Sequence, residues 1–447
     1  MKNSHAIRAF LIPKLHSVGR FLLAQGLAMA GNLLYGFLCV RLLSVSEYAK
    51  FAVLFGFMGS LTILLDVGVS TTLAPLIGEQ IGDLQLIADY VASLRAIALR
   101  LFMFVTPIAG VAFIILVRRQ HWSWVVVAQM TVALAVAAWF ARVSASYGAV
   151  LILRRDRTRF YRAQVTGSLG SLTLLVACYF LHIFNIYTAV LLNLAQIIFI
   201  AATYYRRANY LLGVEGLPSP DKQRAIFRLA TPSMPSTIFY AIQGQFSLAA
   251  ITAFGRSAVN VASVGALGRL GQVFALFAQM NPILVEPFFA RLPSNRVKRF
   301  YVIGVMLVTF FATAVSMMAF FYPAVFLWIL GPKYAGLRFE AGLMVVGSAL
   351  RFVAGFIWLV NSSRRFVYWW NNIAVIIGTI FIQVIFLWKG DLTTVRGVLF
   401  LNVSTAILEL LIICSAGIFG FIYGPKRVDP KAMSIELATE GIGHGAE

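Results

Sequence analysis

The chain has 447 residues, 60% of them hydrophobic and only 12% charged, and its net charge is +21. A soluble domain is about one-quarter charged, so a water-soluble enzyme is excluded, and the basic residues are scattered through short loops rather than gathered into a nucleic-acid-binding face. Cys39, Cys178 and Cys414 lie in apolar runs with no Cys/His ligand spacing, so neither a metal, nor a cofactor, nor a disulfide is expected.

Apolar runs of about 20 residues recur from end to end, each long enough to cross a hydrocarbon core of ~30 Å. In lipid the backbone must satisfy its own hydrogen bonds, so these runs are predicted helices. The alternating segments of a membrane barrel are absent from the sequence. Lys2, Arg8, Lys14 and Arg20 precede the first run as in a signal peptide. That run is too long, and no small-residue cleavage site follows it, so an uncleaved helix is expected at 18–43. Further helices are expected at 48–78, 96–118, 122–152, 163–182 and 184–205. The segment 206–225 holds Gly216, Pro218, Ser219, Pro220 and a charged cluster, and reads as a cytoplasmic linker. Helices at 226–254, 257–290, 299–328, 339–362, 368–388 and 395–421 follow. The polar tail 424–447 reads as disordered. The expected fold class is thus an all-α polytopic membrane protein of about twelve transmembrane helices. Its halves would be six-helix bundles at 1–205 and 226–423.

Most of the 37 lysines and arginines fall on one side when the N-terminus is placed in the cytoplasm, which puts both termini there. A bacterial inner membrane is the expected location, and some of the basic residues would meet anionic lipid head groups. Arg118 and Arg119 are a local exception. A weak internal repeat agrees with two halves. An offset of 209 lays Arg142 on Arg351, Arg155 on Arg364, and Phe160-Tyr161 on Trp369-Trp370. An offset of 211 lays Gln25 on Ser236, Asn32 on Gln243 and Gly36 on Ser247.

Enzyme signatures are missing: the sequence holds no P-loop, HExxH or GxSxG, and no catalytic residue is expected. Polarity inside the helices is what remains. Helical spacing puts Gln25, Asn32 and Gly36 on one face, Gly59, Thr62, Asp66 and Ser70 on another, and Ser236, Tyr240, Gln243 and Ser247 on a third. Gly265, Arg269, Gln272, Gln279 and Glu286 form a longer stripe. Each stripe lines either a helix–helix seam or a watery cavity. Among charges, Arg100, Arg142, Arg269 and Arg351 stand against Asp66, Glu286 and Glu409. An intramembrane arginine costs at least ~2.5–3.5 kcal/mol. A net positive interior suits an anionic substrate, above all phosphate, which arginine grips bidentately. Arg142, twelve residues from Arg154, is expected to lie deep. Arg269 is expected to face a cavity, with Glu286 too far along the helix to neutralise it and Asp66 as the alternative ion-pair partner. Pro232 and Pro235, and Pro282 and Pro287, are expected to kink their helices.

The stretch RLLSVSEYAKFAVLFGFMGSLTILLDVGVSTTLAPLI (41–77) resembles the first helical hairpin of polysaccharide flippases in the multidrug/oligosaccharidyl-lipid/polysaccharide exporter superfamily. Arg41, Leu42, Leu43, Glu47, Tyr48, Asp66 and Gly68 carry the resemblance, and Ala49 stands where glycine is commoner. RLATPSMP (228–235) and GPKYAG (331–336) are weaker echoes. The resemblance implies two bundles around a central cationic cavity and movement of undecaprenyl-pyrophosphate-linked oligosaccharide across the inner membrane. It makes Arg269, Arg142 and Arg351 candidates for the head group, with Gln272, Gln243, Gln25, Asn32 and Tyr240 beside them. Polysaccharide polymerase and assembly proteins would be further partners. The rivals are a cation-coupled multidrug exporter, a membrane-embedded glycan-processing enzyme and an assembly scaffold. Short loops and the lack of paired carboxylates oppose the enzyme.

Overall fold

A computed structural model describes residues 24–423 apart from 79, 81, 155, 256, 280, 282–284, 287, 290, 291, 365 and 367. Every regular element among the described residues is helical. In chain order these are α1 (24–42), α2 (Val45–Asp66), a 3-10 turn (Ser70–Thr72), α3 (Leu73–Ile77) and α4 (Leu84–Arg118). Then come α5 (Trp124–Leu153), α6 (Arg157–Phe180), α7 (Ile186–Leu212), α8 (Pro220–Ala230) and α9 (Met234–Phe254). The last six are α10 (Ala258–Ala278), α11 (Ser294–Phe321), α12 (Pro323–Leu330), α13 (Arg338–Ser363), α14 (Trp369–Lys389) and α15 (Val395–Tyr423). Eleven helical stretches are long and apolar enough to cross a membrane, and α1 is a further helix described from residue 24 onward. Large apolar side chains point outward, Phe104 and Trp388 being 72% and 82% exposed, as lipid-facing surfaces require. The chain is an all-α, multi-pass membrane protein.

Local chemistry sets the helix ends. Ser44 and Glu47 form a reciprocal capping box that opens α2, and Asn185 with Thr188 does the same for α7. Asp83 caps α4 by accepting from the Leu86 N–H at 2.9 Å, so this helix starts well before the expected residue 96. Its first turns carry Asp89 and Arg95 and extend past the apolar run. The expected helix 226–254 is in fact two, α8 and α9, separated by a turn at 231–233. Pro232 disfavours helix in the residue before it, and Pro235 sits in the first turn of α9, where its missing N–H does no harm. Likewise Pro323 ends α11 at Phe321 and begins α12, dividing the expected 299–328. The expected helix 48–78 is interrupted after Asp66, where Val67 and Gly68 have φ of 42° and 79°. Of the expected 257–290, α10 reaches Ala278; Pro282 and Pro287 lie outside the described residues, as do both chain termini.

The chain divides into two compact units. The first takes in the described residues of Met1–Leu270 with Ala324–Glu340 and Phe386–Leu399. Its core joins Leu73 and Ile77 to Ile87, Leu94 and Ile97 on α4, Tyr147 and Leu151 on α5, Tyr204 on α7 and Ile226 on α8. The second takes in the described residues of Gly271–Pro323, Ala341–Ile385 and Phe400–Glu447. Aromatic rings dominate its interior, with Phe274, Phe311 and Phe352 in mutual contact. One pair of helix starts lies 209 residues apart, α7 at Ile186 and α15 at Val395.

The segment after α7 is docked, not slack. The Leu217 N–H donates to Asp89 Oδ1 at 3.0 Å, the Ser219 N–H to Ser93 Oγ at 3.0 Å, and Lys222 Nζ to Asp89 Oδ2 at 2.6 Å. Gly216 lies so close to α4 that a Cβ there would sit 2.1 Å from the carbonyl carbon of Ala88. Gly216→Ala must therefore push two backbones apart, at roughly 1–3 kcal/mol. Limited proteolysis should show new cleavage around 213–219 in this variant; an unchanged digestion pattern would mean the segment tolerates displacement.

Candidate functional site

Three of the stretches that carry the sequence resemblance meet in space, at the two ends of α2. At its N-terminal end, Ser44 Oγ donates to Glu47 Oε2 at 2.7 Å, and Glu47 also accepts from the Ile186 N–H at 3.4 Å. This ties α2 to the start of α7. Lys333, from GPKYAG, donates to the carbonyls of Leu43 at 2.6 Å and Arg41 at 3.1 Å. Those carbonyls are left over at the C-terminal end of α1, where a cation also opposes the helix dipole. Burial pulls the Lys333 pKa below its usual value, and Glu47 partly offsets this. Gly331 holds φ = +100° against the Arg41 side chain, whose guanidinium lies 5.6 Å from the Trp328 ring centre. Tyr334 is buried beside Tyr48. At the other end of α2, Asp66 accepts from the Ser70 N–H at 3.1 Å and Ser70 Oγ at 2.8 Å, closing the turn through Gly68. Gly68 in turn faces Ser233 of the TPS turn.

Between these ends sits Arg269. Its side chain is 4% exposed, with the guanidinium carbon 4.2 Å from the Phe55 ring centre. A Cβ on Gly36 would lie 3.0 Å from its Nη1, and Tyr35, Cys39 and Tyr48 surround it. Within the first unit Arg269 is thus packed into a seam of α1, α2 and α10. The alternative pairing with Asp66 does not form. Asp66 is eleven residues from Phe55, about 16 Å along α2, and its carboxylate is engaged by Ser70. The α10 face at Gly265 is filled, since a Cβ there would meet Ala52 at 2.6 Å. Farther along the stripe, Gln272 is half-buried on α10, Gln279 lies just beyond its last helical residue, and Glu286 is half-buried after it. Gln272 and Glu286 belong to the second unit.

The remaining candidates separate. Asn32 Oδ1 accepts from Gln196 Nε2 at 2.8 Å, and Gln196 Oε1 accepts from Ser171 Oγ at 2.9 Å, a polar chain linking α1, α7 and α6. Gln25 and Gln243 are half-buried, and Tyr240 is 40% exposed with its ring edge-on to Phe239. In the second unit, Arg351 donates to Asn402 Oδ1 at 2.5 Å and Thr405 Oγ1 at 3.2 Å, and its Nε lies 4.0 Å from Glu409 Oε2. That cation is matched by an acid on α15, which reduces the positive excess expected from sequence. Arg142 differs. Its guanidinium stacks 4.0 Å from the Trp139 ring centre, its Nε is buried with no hydrogen-bond partner, and among the described residues no carboxylate lies within ion-pair distance of it.

Sequence reading missed Lys333, Gln196 and Asn402 as partners. A lone amide in an apolar helix is a signal that some partner exists, but spacing within one helix cannot say which helix supplies it. Among the described residues no group of three His, Cys, Asp or Glu could hold a metal ion. A cavity of about 290 Å³ lies near the start of α2, lined by Lys50, Gln120, His121 and Trp122. It is at the lower limit for a small ligand and too small for an oligosaccharide.

No protein-family model and no curated protein matches the chain. Solved structures do. An inward-facing multidrug resistance MATE family transporter of the MOP superfamily is 17% identical, with 94% of this chain and 96% of that one covered at a TM-score of 0.67. A MATE in a bent conformation is 19% identical, with 95% and 96% covered at 0.57. A MOP superfamily transporter from Pyrococcus furiosus, reported with a binding pocket of reversed polarity that suggests a different function, is 19% identical, with 91% and 94% covered at 0.53. The fold is that of the MATE transporters.

Proposed function

We propose that the chain is a transporter that moves its cargo across a membrane by alternating access. The observation that carries this is the match to MATE transporters over 94% of its length. We place it in a bacterial inner membrane with both termini cytoplasmic, on the loop distribution of lysine and arginine. The two six-helix halves, 1–205 and 226–423, belong to the same reading.

Two cargoes are in play, and different observations favour them. The solved relatives include a transporter named for multidrug resistance, which favours an exporter of drugs. The residues favour an anionic cargo, undecaprenyl-pyrophosphate-linked oligosaccharide. Arg41, Glu47, Tyr48, Asp66 and Gly68 resemble flippase motifs, and cationic drugs prefer acidic, aromatic sites, whereas the charges here are mostly arginine. One pair of assays separates the cargoes. With the full chain in sealed vesicles, a flippase should move a fluorescent undecaprenyl-pyrophosphate oligosaccharide between leaflets and leave ethidium untouched. An exporter should do the reverse. Movement of neither, in vesicles with correctly inserted protein, would overturn the transporter reading itself.

A further inference from the structure

The uncharged stretches Leu101–Val117 of α4, Trp124–Ala141 of α5 and Ile186–Tyr205 of α7 are each about 25–30 Å long at 1.5 Å per residue. Each matches the thickness of a hydrocarbon core. Arg100, Arg142 and Arg206 mark where they end, all toward the same side, because α4 runs antiparallel to both α5 and α7 in the sequence of crossings. On this side Arg142 and Arg100 close the longest uncharged stretches of α5 and α4.

At this level Arg95 and Arg142 both lie along the contact of α4 with α5. Arg95 lies 5.3 Å from the ring centre of Tyr147, which meets Tyr205 edge-on at 5.1 Å. Arg142 stacks on Trp139, which meets Phe102 edge-on at 5.3 Å. Trp139 and Tyr205 are 40% and 46% exposed. Among the described residues neither arginine has a carboxylate within ion-pair distance. The acids at this end are engaged elsewhere, Asp89 by Lys222 and Asp156 by Arg207, each at 2.6 Å. The repeat offset sharpens the contrast. Arg351 finds Glu409 on α15, whereas the residue 209 earlier on α7 is Ile200. The buried Nε of Arg142 has no hydrogen-bond partner among the described residues, so the two cations are left without an acceptor from the protein.

We propose that Arg95 and Arg142 bind the phosphate of an anionic membrane phospholipid, with Trp139 and Tyr205 against its glycerol and upper acyl carbons. Guanidinium groups suit phosphate, and amphipathic rings collect at the level of the head groups. The proposal rests on neither cargo reading.

The test uses the full chain in detergent, titrated with phosphatidylglycerol and followed by native mass spectrometry. Phosphatidylglycerol should be retained at least tenfold more tightly than phosphatidylcholine. The double variant Arg95→Gln/Arg142→Gln should lose that preference. Arg100→Gln, whose side chain instead meets Gln223, should keep it. Equal retention of the two lipids, or an undiminished preference in the double variant, overturns the proposal. So does competition by millimolar inorganic phosphate, which marks a free-anion site, or selective retention of undecaprenyl pyrophosphate over phosphatidylglycerol, which marks a cargo site. Should the double variant fold poorly, brominated lipids answer on the unmodified arginines. Brominated phosphatidylglycerol should quench the fluorescence that Trp139→Phe removes, and brominated phosphatidylcholine should quench it far less; equal quenching counts against the site.

Discussion

Arg269→Ala should lower the unfolding free energy of the detergent-solubilised protein by about 3 kcal/mol, in the range of large buried truncations. The side chain is 4% exposed and fills the space between Gly36 and the Phe55 ring. Its removal leaves a hole that rigid helices cannot close, and strands the groups that faced the cation. Arg269→Lys retains the charge and most of the stem. It loses the flat face stacked on Phe55, worth ~0.5–2 kcal/mol, so its destabilisation should be smaller but measurable. Chemical denaturation in mixed micelles, followed by tryptophan fluorescence, reads both. A phosphate-clamp role predicts a different pattern: Arg269→Lys would keep wild-type stability and lose transport through the missing bidentate fork. Wild-type stability and wild-type transport in Arg269→Ala would leave the residue without either role.

Lys333→Met should be nearly as damaging, by about 2 kcal/mol, although Lys333 sits outside every apolar span. The substitution leaves the Arg41 and Leu43 carbonyls without their charge-assisted donor, and hydrogen bonds to charged groups are worth ~1.5–3 kcal/mol each. Lys333→Arg keeps a donor and should recover part of the loss. Gly331→Val should add strain of ~1–3 kcal/mol, because φ = +100° is a conformation a β-branched residue resists. If the contact ties α1 to the 331–336 turn as described, Lys333→Met combined with Gly331→Val should cost less than the sum of the two. Strict additivity would show that the two residues act separately.

Much of this architecture was legible because lipid imposes long, uniform apolar runs and leaves few alternatives to helix. The span limits near Leu153 and Tyr423 follow from where charge begins, but α7 runs past the expected 205, through Arg206 and Arg207 to Leu212, and α8 takes up 220–225 of the expected linker. Boundaries failed where a proline acted more strongly than as a kink, as at Pro232 and Pro323. The candidate site was less legible. Periodicity placed Gly265 and Arg269 on one face, but a face may meet water or another helix, and here Ala52 and Phe55 fill it. Lys333 went unremarked because its partners are backbone carbonyls about 290 residues away, and main-chain atoms leave no trace in a sequence.

The docking of residues 213–222 on α4 bears on how the protein can be engineered. Segments between helices are usually the first choice for splicing in a reporter, because a foreign domain there disturbs little. This one is a poor host. Its N–H groups already serve Asp89 and Ser93, and Gly216 lies against the backbone of Ala88 with no space to spare. A fluorescent domain inserted there would compete for those anchors. The turn around Asp391 is anchored as well, because Asn260 Nδ2 on α10 donates to the Thr393 carbonyl at 3.0 Å.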